Sequence, residues 1–357
     1  MKQKKIVIST YTFLPDIGGV ATNSLTIAEA FIAKGYDVTV VTLTGEKSDY
    51  DGKIKVVRKP NLFTLMKLYF YADWILYSNL SVKLCWPAIF LHKTSALHHH
   101  SSSAFSRSNV SGMSGYMKRY VENKVISKSI HFVNSEFTKT DAGCFFDKRQ
   151  AHITYPIVQK TKISERIVNK YKERNGAIFV GRIEKEKGVS YLLENINLIK
   201  EKLNVKEITF VGDGTLLETI KENKPNGTNF VGAVDLNRVH ELMEKSEYVF
   251  VPSIWQEPFG IVAVEGLASG AIVISSDRGG LPEALGDLGE LFDFDSTNSF
   301  EDALKNAKIK KEKLLGKQSL LEYIESVNIH MEKFSSSKVI QVIINALTDE
   351  DKKRLKC

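Results

Sequence analysis

The sequence predicts an α/β protein made of two doubly wound domains in tandem, and three observations carry that expectation. At 357 residues the chain exceeds one ordinary core and suits two. Short β-branched runs alternate with segments of helical periodicity along nearly its whole length, which is the grammar of parallel strands covered by helices. The loops that follow the strands are glycine-rich or charged, where sheets of this kind gather their ligands.

Taken in order, Lys4–Thr10 (KKIVIST) is the first strand. Leu25, Ile27, Ala28, Phe31 and Ile32 then form a helical stripe that stops at Gly35, and Tyr36–Thr44 is a second strand, completing a βαβ unit. Leu68–Leu91 is the strongest candidate for a membrane span. Asp73, Asn79, Lys83 and Pro87 interrupt it, so it reads instead as a buried helix followed by a strand. An apolar run leads into SALHHHS, Gly115–Lys128 is helical, and Ser129–Ser135 is a buried strand. In that helix Met117, Val121 and Val125 are expected to dock on the core. The second half repeats the alternation: strands in AIFVGR, EITFVGDG, NFVGAV, EYVFVPS and AIVISSD, with helical segments between them. The expected domains are 1–158 and 177–335, joined by a Lys- and Glu-rich linker at 159–176, with a last helix at 336–357 packing back towards the first domain.

Composition narrows the function classes. The chain is 43% hydrophobic and 25% charged, with no low-complexity tract. Cys85, Cys144 and Cys357 form no CxxC pair, which argues against a disulfide scaffold or structural zinc and fits a reducing, cytoplasmic setting. The N-terminal MKQKK runs directly into a strand pattern and is not expected to be a signal peptide. Residues 1–150 hold 20 Lys and Arg against 11 Asp and Glu, a net +9, whereas 151–357 hold 29 against 31, a net −2. An anionic partner is therefore expected on the first domain. Two of its segments, Lys59–Tyr71 and Gly115–Lys128, mix cations with aromatic residues in the manner of an anionic bilayer surface, and no nucleic-acid partner is expected.

The chemistry is sought in the loops after strands. Gly18 and Gly19 allow backbone to approach a ligand at a helix N-terminus, although a plain strand-to-helix turn explains the pair as well. Arg182 and Lys187 follow the strand AIFVGR. One planar fork and one point cation suit a diphosphate, while the intervening Glu184, Lys185 and Glu186 also fit a solvated charge run. In QEPFGIVAVEGLASG, Pro258 is expected to open a helix whose first turn, Phe259, Gly260 and Ile261, presents amides to a phosphate. Glu257 precedes that turn. Glu265 lies inside the helix among Ile261, Val262, Val264 and Leu267, where a carboxylate needs a partner such as vicinal hydroxyls.

The segments FLPDIGGVATN, FVGRIEKEKGV, FVGDG, VPSIWQEPFG and EPFGIVAVE, in this order and spacing, resemble the family-four glycosyltransferases of GT-B fold. The resemblance spans nearly the whole chain. It implies two Rossmann-like domains facing a cleft, a retaining and metal-independent transfer, and no cofactor beyond a UDP- or GDP-sugar donor. It assigns Glu257 to the transferred sugar, Glu265 to ribose, and Arg182 and Lys187 to the diphosphate. Gly18, Gly19, Gly212, Phe259, Gly260 and Ile261 then line the donor site. The family also places a histidine after a strand of the first domain. Of His98, His99 and His100, the last fits best, being followed by Ser101, and strand alternation puts His98 on its side. A zinc site is not expected, since consecutive strand residues face opposite ways. The implied acceptor is a glycan or lipid-linked glycan at the inner face of the cytoplasmic membrane. Alternatives are a sugar-nucleotide epimerase of the same fold or an inactive glycan-binding protein. A dinucleotide oxidoreductase would need GxGxxG where DIGGVA stands.

Overall fold

The computed structural model describes residues 3–16, 18–47, 54–101, 112–146, 150–159, 163, 165–222 and 225–354. Its contacts divide the chain into two compact units. Unit 1 is Met1–Ile157 together with Phe334–Cys357, and unit 2 is Val158–Lys333. Residues 334–357 add five Lys and Arg and three Asp and Glu to unit 1, which then holds 25 against 14, a net +11, while unit 2 holds 24 against 28, a net −4.

Unit 1 is a seven-stranded parallel sheet of strands β1 (Lys5–Thr10), β2 (Asp37–Thr42), β3 (Lys55–Arg58), β4 (Trp74–Ser78), β5 (Thr94–His99), β6 (Ile130–Val133) and β7 (Ala151–Ile153). Their order is β3-β2-β1-β4-β5-β6-β7. Being covered on both faces, β1, β2, β4 and β5 are buried almost throughout rather than in alternation. One face packs Ile27 and Phe31 of the Gly19–Ala33 helix with Val339, Ile340, Ile343 and Leu347 of the Ser336–Arg354 helix. The other packs Leu65 and Tyr69 of Leu62–Tyr71 with Val121 and Val125 of Gly112–Lys128. The C-terminal helix is pinned through Asp351, whose carboxylate accepts hydrogen bonds from Lys4 Nζ (2.8 Å), Trp74 Nε1 (2.9 Å) and Thr94 Oγ1 (2.6 Å).

One detail differs from expectation. Met117 is 53% exposed, because the helix meets the core only from Val121 onwards. Its first turns leave Met113, Tyr116 and Tyr120 exposed as well.

Unit 2 is a six-stranded parallel sheet of β8 (Ala177–Val180), β9 (Ile208–Val211), β10 (Thr228–Gly232), β11 (Tyr248–Val251), β12 (Ile272–Ser276) and β13 (Glu290–Phe292), ordered β10-β9-β8-β11-β12-β13. The direction of winding reverses between β8 and β11, so the loops leaving these two strands flank the crevice where such sheets bind ligands. Unit 1 reverses likewise between β1 and β4.

The stretch expected as a linker, 159–176, contains the Glu165–Asn169 helix and buries Ile167, Tyr171 and Arg174. The Arg174 guanidinium donates to the carbonyls of Ser246 and Ser269, so this segment is packed into unit 2. Among the described residues, no helix is long and apolar enough to cross a membrane.

Candidate active site

In unit 2 the sheet delivers two loops to one place. After β8 the chain passes Gly181 and Arg182 into a single helical turn, Lys185–Lys187, that ends at Gly188. After β11 it runs through Ser253 to Glu257 and reaches the Ile261–Ala268 helix. The loops are stitched by the Ile254 amide donating to the Glu186 carbonyl at 2.9 Å. They approach so closely that a Cβ on Gly188, which has φ 74°, would lie 1.8 Å from the Pro252 carbonyl oxygen. Only glycine fits there.

This approach brings together two residues 70 positions apart. Lys187 Nζ lies 2.6 Å from Glu257 Oε1, with side-chain exposures of 19% and 11%. The same oxygen accepts from Ser253 Oγ at 2.6 Å, and the Ser253 carbonyl accepts from Ser276 Oγ at 2.7 Å. Trp255 flanks the cation, its ring centroid 5.5 Å from Lys187 Nζ. The backbone of Glu257 is held from behind by the Gly280 amide, which donates to its carbonyl at 2.7 Å. A carboxylate shielded this far is tolerable because it is paired and hydrogen-bonded.

The other expected residues take separate positions around this pair. Arg182 is exposed and bonds the Glu186 carboxylate. Glu265 sits one turn into its helix with 13% side-chain exposure, and His240 Nε2 lies 3.9 Å from its carboxylate. The helix opens at Ile261 rather than Pro258, since Gly260 at φ 94° interrupts the turn. Its leading amides are therefore those of Ile261 and Val262, and Phe259 is a core side chain at 2% exposure. Gly212 has an architectural reason: a Cβ there would be 1.9 Å from the Gly181 carbonyl oxygen.

In unit 1 the histidines divide by face. His98 and His100 share one side, with ring centroids 4.6 Å apart. His99 points to the other, where its Nε2 is 3.0 Å from His131 Nδ1 and the two rings stack. His98 is buried between Asn23 Nδ2 (3.4 Å) and Thr154 Oγ1 (3.2 Å), and burial pushes its pKa down to about 4. Burial and the neighbouring His98 hold His100 well below the usual histidine range, so both rings are neutral at pH 7. The His100 main chain is fixed by Asn79 Oδ1 on its amide and Asn134 Nδ2 on its carbonyl. Its Nε2 lies 2.8 Å from Ser78 Oγ, which in turn meets the Ser24 hydroxyl at 2.8 Å.

Nearby, Asp16 accepts from Thr44 Oγ1 (2.5 Å) and Thr12 Oγ1 (2.9 Å), and these bonds hold its carboxyl below the usual range. It staples the loop after β1. A Cβ on Gly18 or Gly19 would meet nothing within 4 Å, so packing within unit 1 does not require the glycine pair. Cys85 is a buried thiol, pushed up to about 12 by desolvation. Cys144 and Cys357 lie outside the described side chains. Among the described residues no group of three His, Cys, Asp or Glu is arranged to hold a metal.

Sequence reasoning missed Ser253, His240, Ser78 and Asn23. Ser253 carried a readable signal, directly following a strand in VPS; His240 carried none, being one polar residue on an amphipathic helix.

Two parallel sheets, each wound in both directions from an inner strand, are those of a GT-B fold. Among solved structures, the fold is matched by Anabaena HepE in complex with UDP, at TM-score 0.71 and 16% identity, over 97% of this chain and 100% of that one. Sucrose-phosphate synthase from Thermosynechococcus elongatus matches at TM-score 0.71 and 16% identity, over 98% and 100%. Residues 160–317 match the model of the family described as glycosyl transferases group 1. In sequence, 113 residues are 33% identical to an uncharacterized glycosyltransferase of Methanocaldococcus jannaschii. That match spans 30% of this chain and 28% of that protein.

Proposed function

We propose that the protein is a retaining glycosyltransferase moving a hexose from a UDP- or GDP-sugar to a hydroxyl of a glycan or lipid-linked glycan. The observation that carries the proposal is the Lys187–Glu257–Ser253 cluster at the carboxyl ends of β8 and β11. A lone carboxylate there would repel a diphosphate donor. Paired to Lys187, it leaves the site near neutral and keeps its second oxygen for sugar hydroxyls.

In this reading Lys187, Arg182 and the leading amides of the Ile261–Ala268 helix stabilise the charge that develops on the departing diphosphate. Glu265 accepts from the ribose hydroxyls. The C1–phosphate oxygen bond breaks as the acceptor oxygen bonds C1 on the same face, and the acceptor proton passes to the leaving phosphate. In unit 1, the family resemblance assigns Gly18, Gly19 and His100 to the donor as well. UDP in the HepE structure supports a uridine donor without excluding guanosine.

For the acceptor, the net +11 of unit 1 and the exposed Phe63, Phe70, Tyr71, Tyr116, Met117 and Tyr120 favour a lipid-linked glycan presented by an anionic membrane in the cytoplasm. The test is release of nucleoside diphosphate from a panel of UDP- and GDP-sugars, with and without lipid-linked acceptor, in the parent and Glu257→Gln. Release that needs neither acceptor nor Glu257, or no release with any donor, overturns the proposal.

A further inference from the structure

Unit 1 contains a cavity of about 500 Å³ at the amino ends of β4 and β5, within the size range of small-ligand pockets. It lies at the opposite end of the sheet from His98 and His100. His100 follows the carboxyl end of β5, and Lys93 precedes its amino end, so the strand's six residues separate the two by roughly 17 Å or more.

The cavity has two chemistries. Its floor is apolar, made by Ile75, Ala88, Ile89, Leu91 and Val125. Its rim carries Lys93, Lys124, Lys128, Lys353 and Arg354, against the single carboxylate of Glu350. Glu350 is engaged by Arg354 at 3.2 Å. Lys128 spends its ammonium on the Ile89 carbonyl at 3.2 Å. Lys93, Lys124 and Lys353 pair with no carboxylate among the described residues. Two of the three instead stand over exposed rings: Lys93 is 5.7 Å from the Phe70 centroid and Lys124 is 5.7 Å from that of Tyr120. An excess of four positive charges around an apolar floor is unfavourable when empty, by mutual repulsion, and is relieved by an anion that carries its own apolar tail.

We infer that this cavity binds one anionic phospholipid molecule, with the phosphate at Lys93, Lys124 and Lys353 and the first acyl segment on Ala88, Ile89 and Val125. The flanking Phe70, Phe90 and Tyr120, all exposed, supply the aromatic belt that suits a headgroup region. The inference deepens the bilayer-facing reading of unit 1 and rests on it for the ligand's source. It makes lipid a bound ligand at a defined place, beyond a diffuse attraction of basic surface.

The full chain is titrated with dihexanoylphosphatidylglycerol below its micellar concentration, with dihexanoylphosphatidylcholine and inorganic phosphate as controls. Phosphatidylglycerol should bind at least tenfold more tightly than either control. Lys124→Glu with Lys353→Glu should weaken it tenfold or more. Ala88→Phe, which fills the floor without changing charge, should do the same, and if that variant melts early the double lysine variant carries the test. Equal binding of inorganic phosphate would leave a free-anion site, and equal binding of phosphatidylcholine a plain apolar groove; either overturns the inference. Sedimentation with anionic vesicles separates it from the reading beneath it. Sedimentation without monomer binding sinks the cavity and spares the bilayer reading, whereas monomer binding without sedimentation does the reverse.

Discussion

Lowering the pH from 7.5 to 5.0 should remove about 2 kcal/mol of stability from unit 1 through His98 alone. The folded protein holds this imidazole neutral, with its pKa pushed from 6.5 down to about 4 by burial. Its partners are Thr154, Asn23, the edge of Phe132 and the His100 ring 4.6 Å away, which burial keeps neutral as well. In the unfolded chain the ring protonates near pH 6.5, so between 6.5 and 4 the unfolded state binds more protons and folding weakens as pH falls. At pH 7.5 the linkage is close to zero; at pH 5.0, RT times the logarithm of the two binding polynomials gives about 2 kcal/mol. His99 and His100 are shifted in the same direction and add to the slope. Urea unfolding followed by tryptophan fluorescence measures it. Of the three tryptophans, Trp74 and Trp86 lie in unit 1, so a Trp255→Phe background reports that unit. His98→Gln keeps a hydrogen-bonding side chain without a titrating ring and should flatten the dependence between pH 7.5 and 5.0 by about that amount. Equal slopes in the two proteins would refute the reasoning, and so would a parent whose urea midpoint does not move.

Glu257→Gln should lower turnover more than donor affinity and remove about 1.5–3 kcal/mol of the Lys187 interaction, while Glu265→Gln should chiefly weaken nucleotide binding. Steady-state kinetics beside nucleotide titration distinguish the two, and parental behaviour in both variants would undo the site. Arg182→Ala and Lys187→Ala should each weaken a nucleoside diphosphate more than the monophosphate; equal losses by calorimetry would remove the diphosphate role. Activity should survive excess chelator, and loss of turnover with rescue by manganese would contradict a metal-independent transfer.

How much of this was legible in the sequence depended on how local each determinant is. Strand-and-helix alternation is written into side-chain periodicity within a dozen residues, and most of the described strands follow it, whereas the short edge strands β3 and β13 were not anticipated. Glu265 was visible for a similar reason, as a carboxylate in an apolar helix. The start of that helix was not. Pro258 suits a first helical position, but the Glu257 carbonyl is tied to the Gly280 amide and Gly260 takes φ 94°, which delays the helix to Ile261. Met117 fits the stripe of its helix, and only the extent of the neighbouring core decides that the stripe is covered from Val121. The Lys187–Glu257 pair depends on a contact seventy residues distant, and so does the reason for its closeness. Lys187 stands where it does because Gly188, the next residue, has no Cβ to collide with the Pro252 carbonyl. In the sequence, KEKG reads as a charge run ending in a turn. In the fold it is the point at which two loops close far enough for one ammonium to reach one carboxylate, and a methyl group at residue 188 would force them apart.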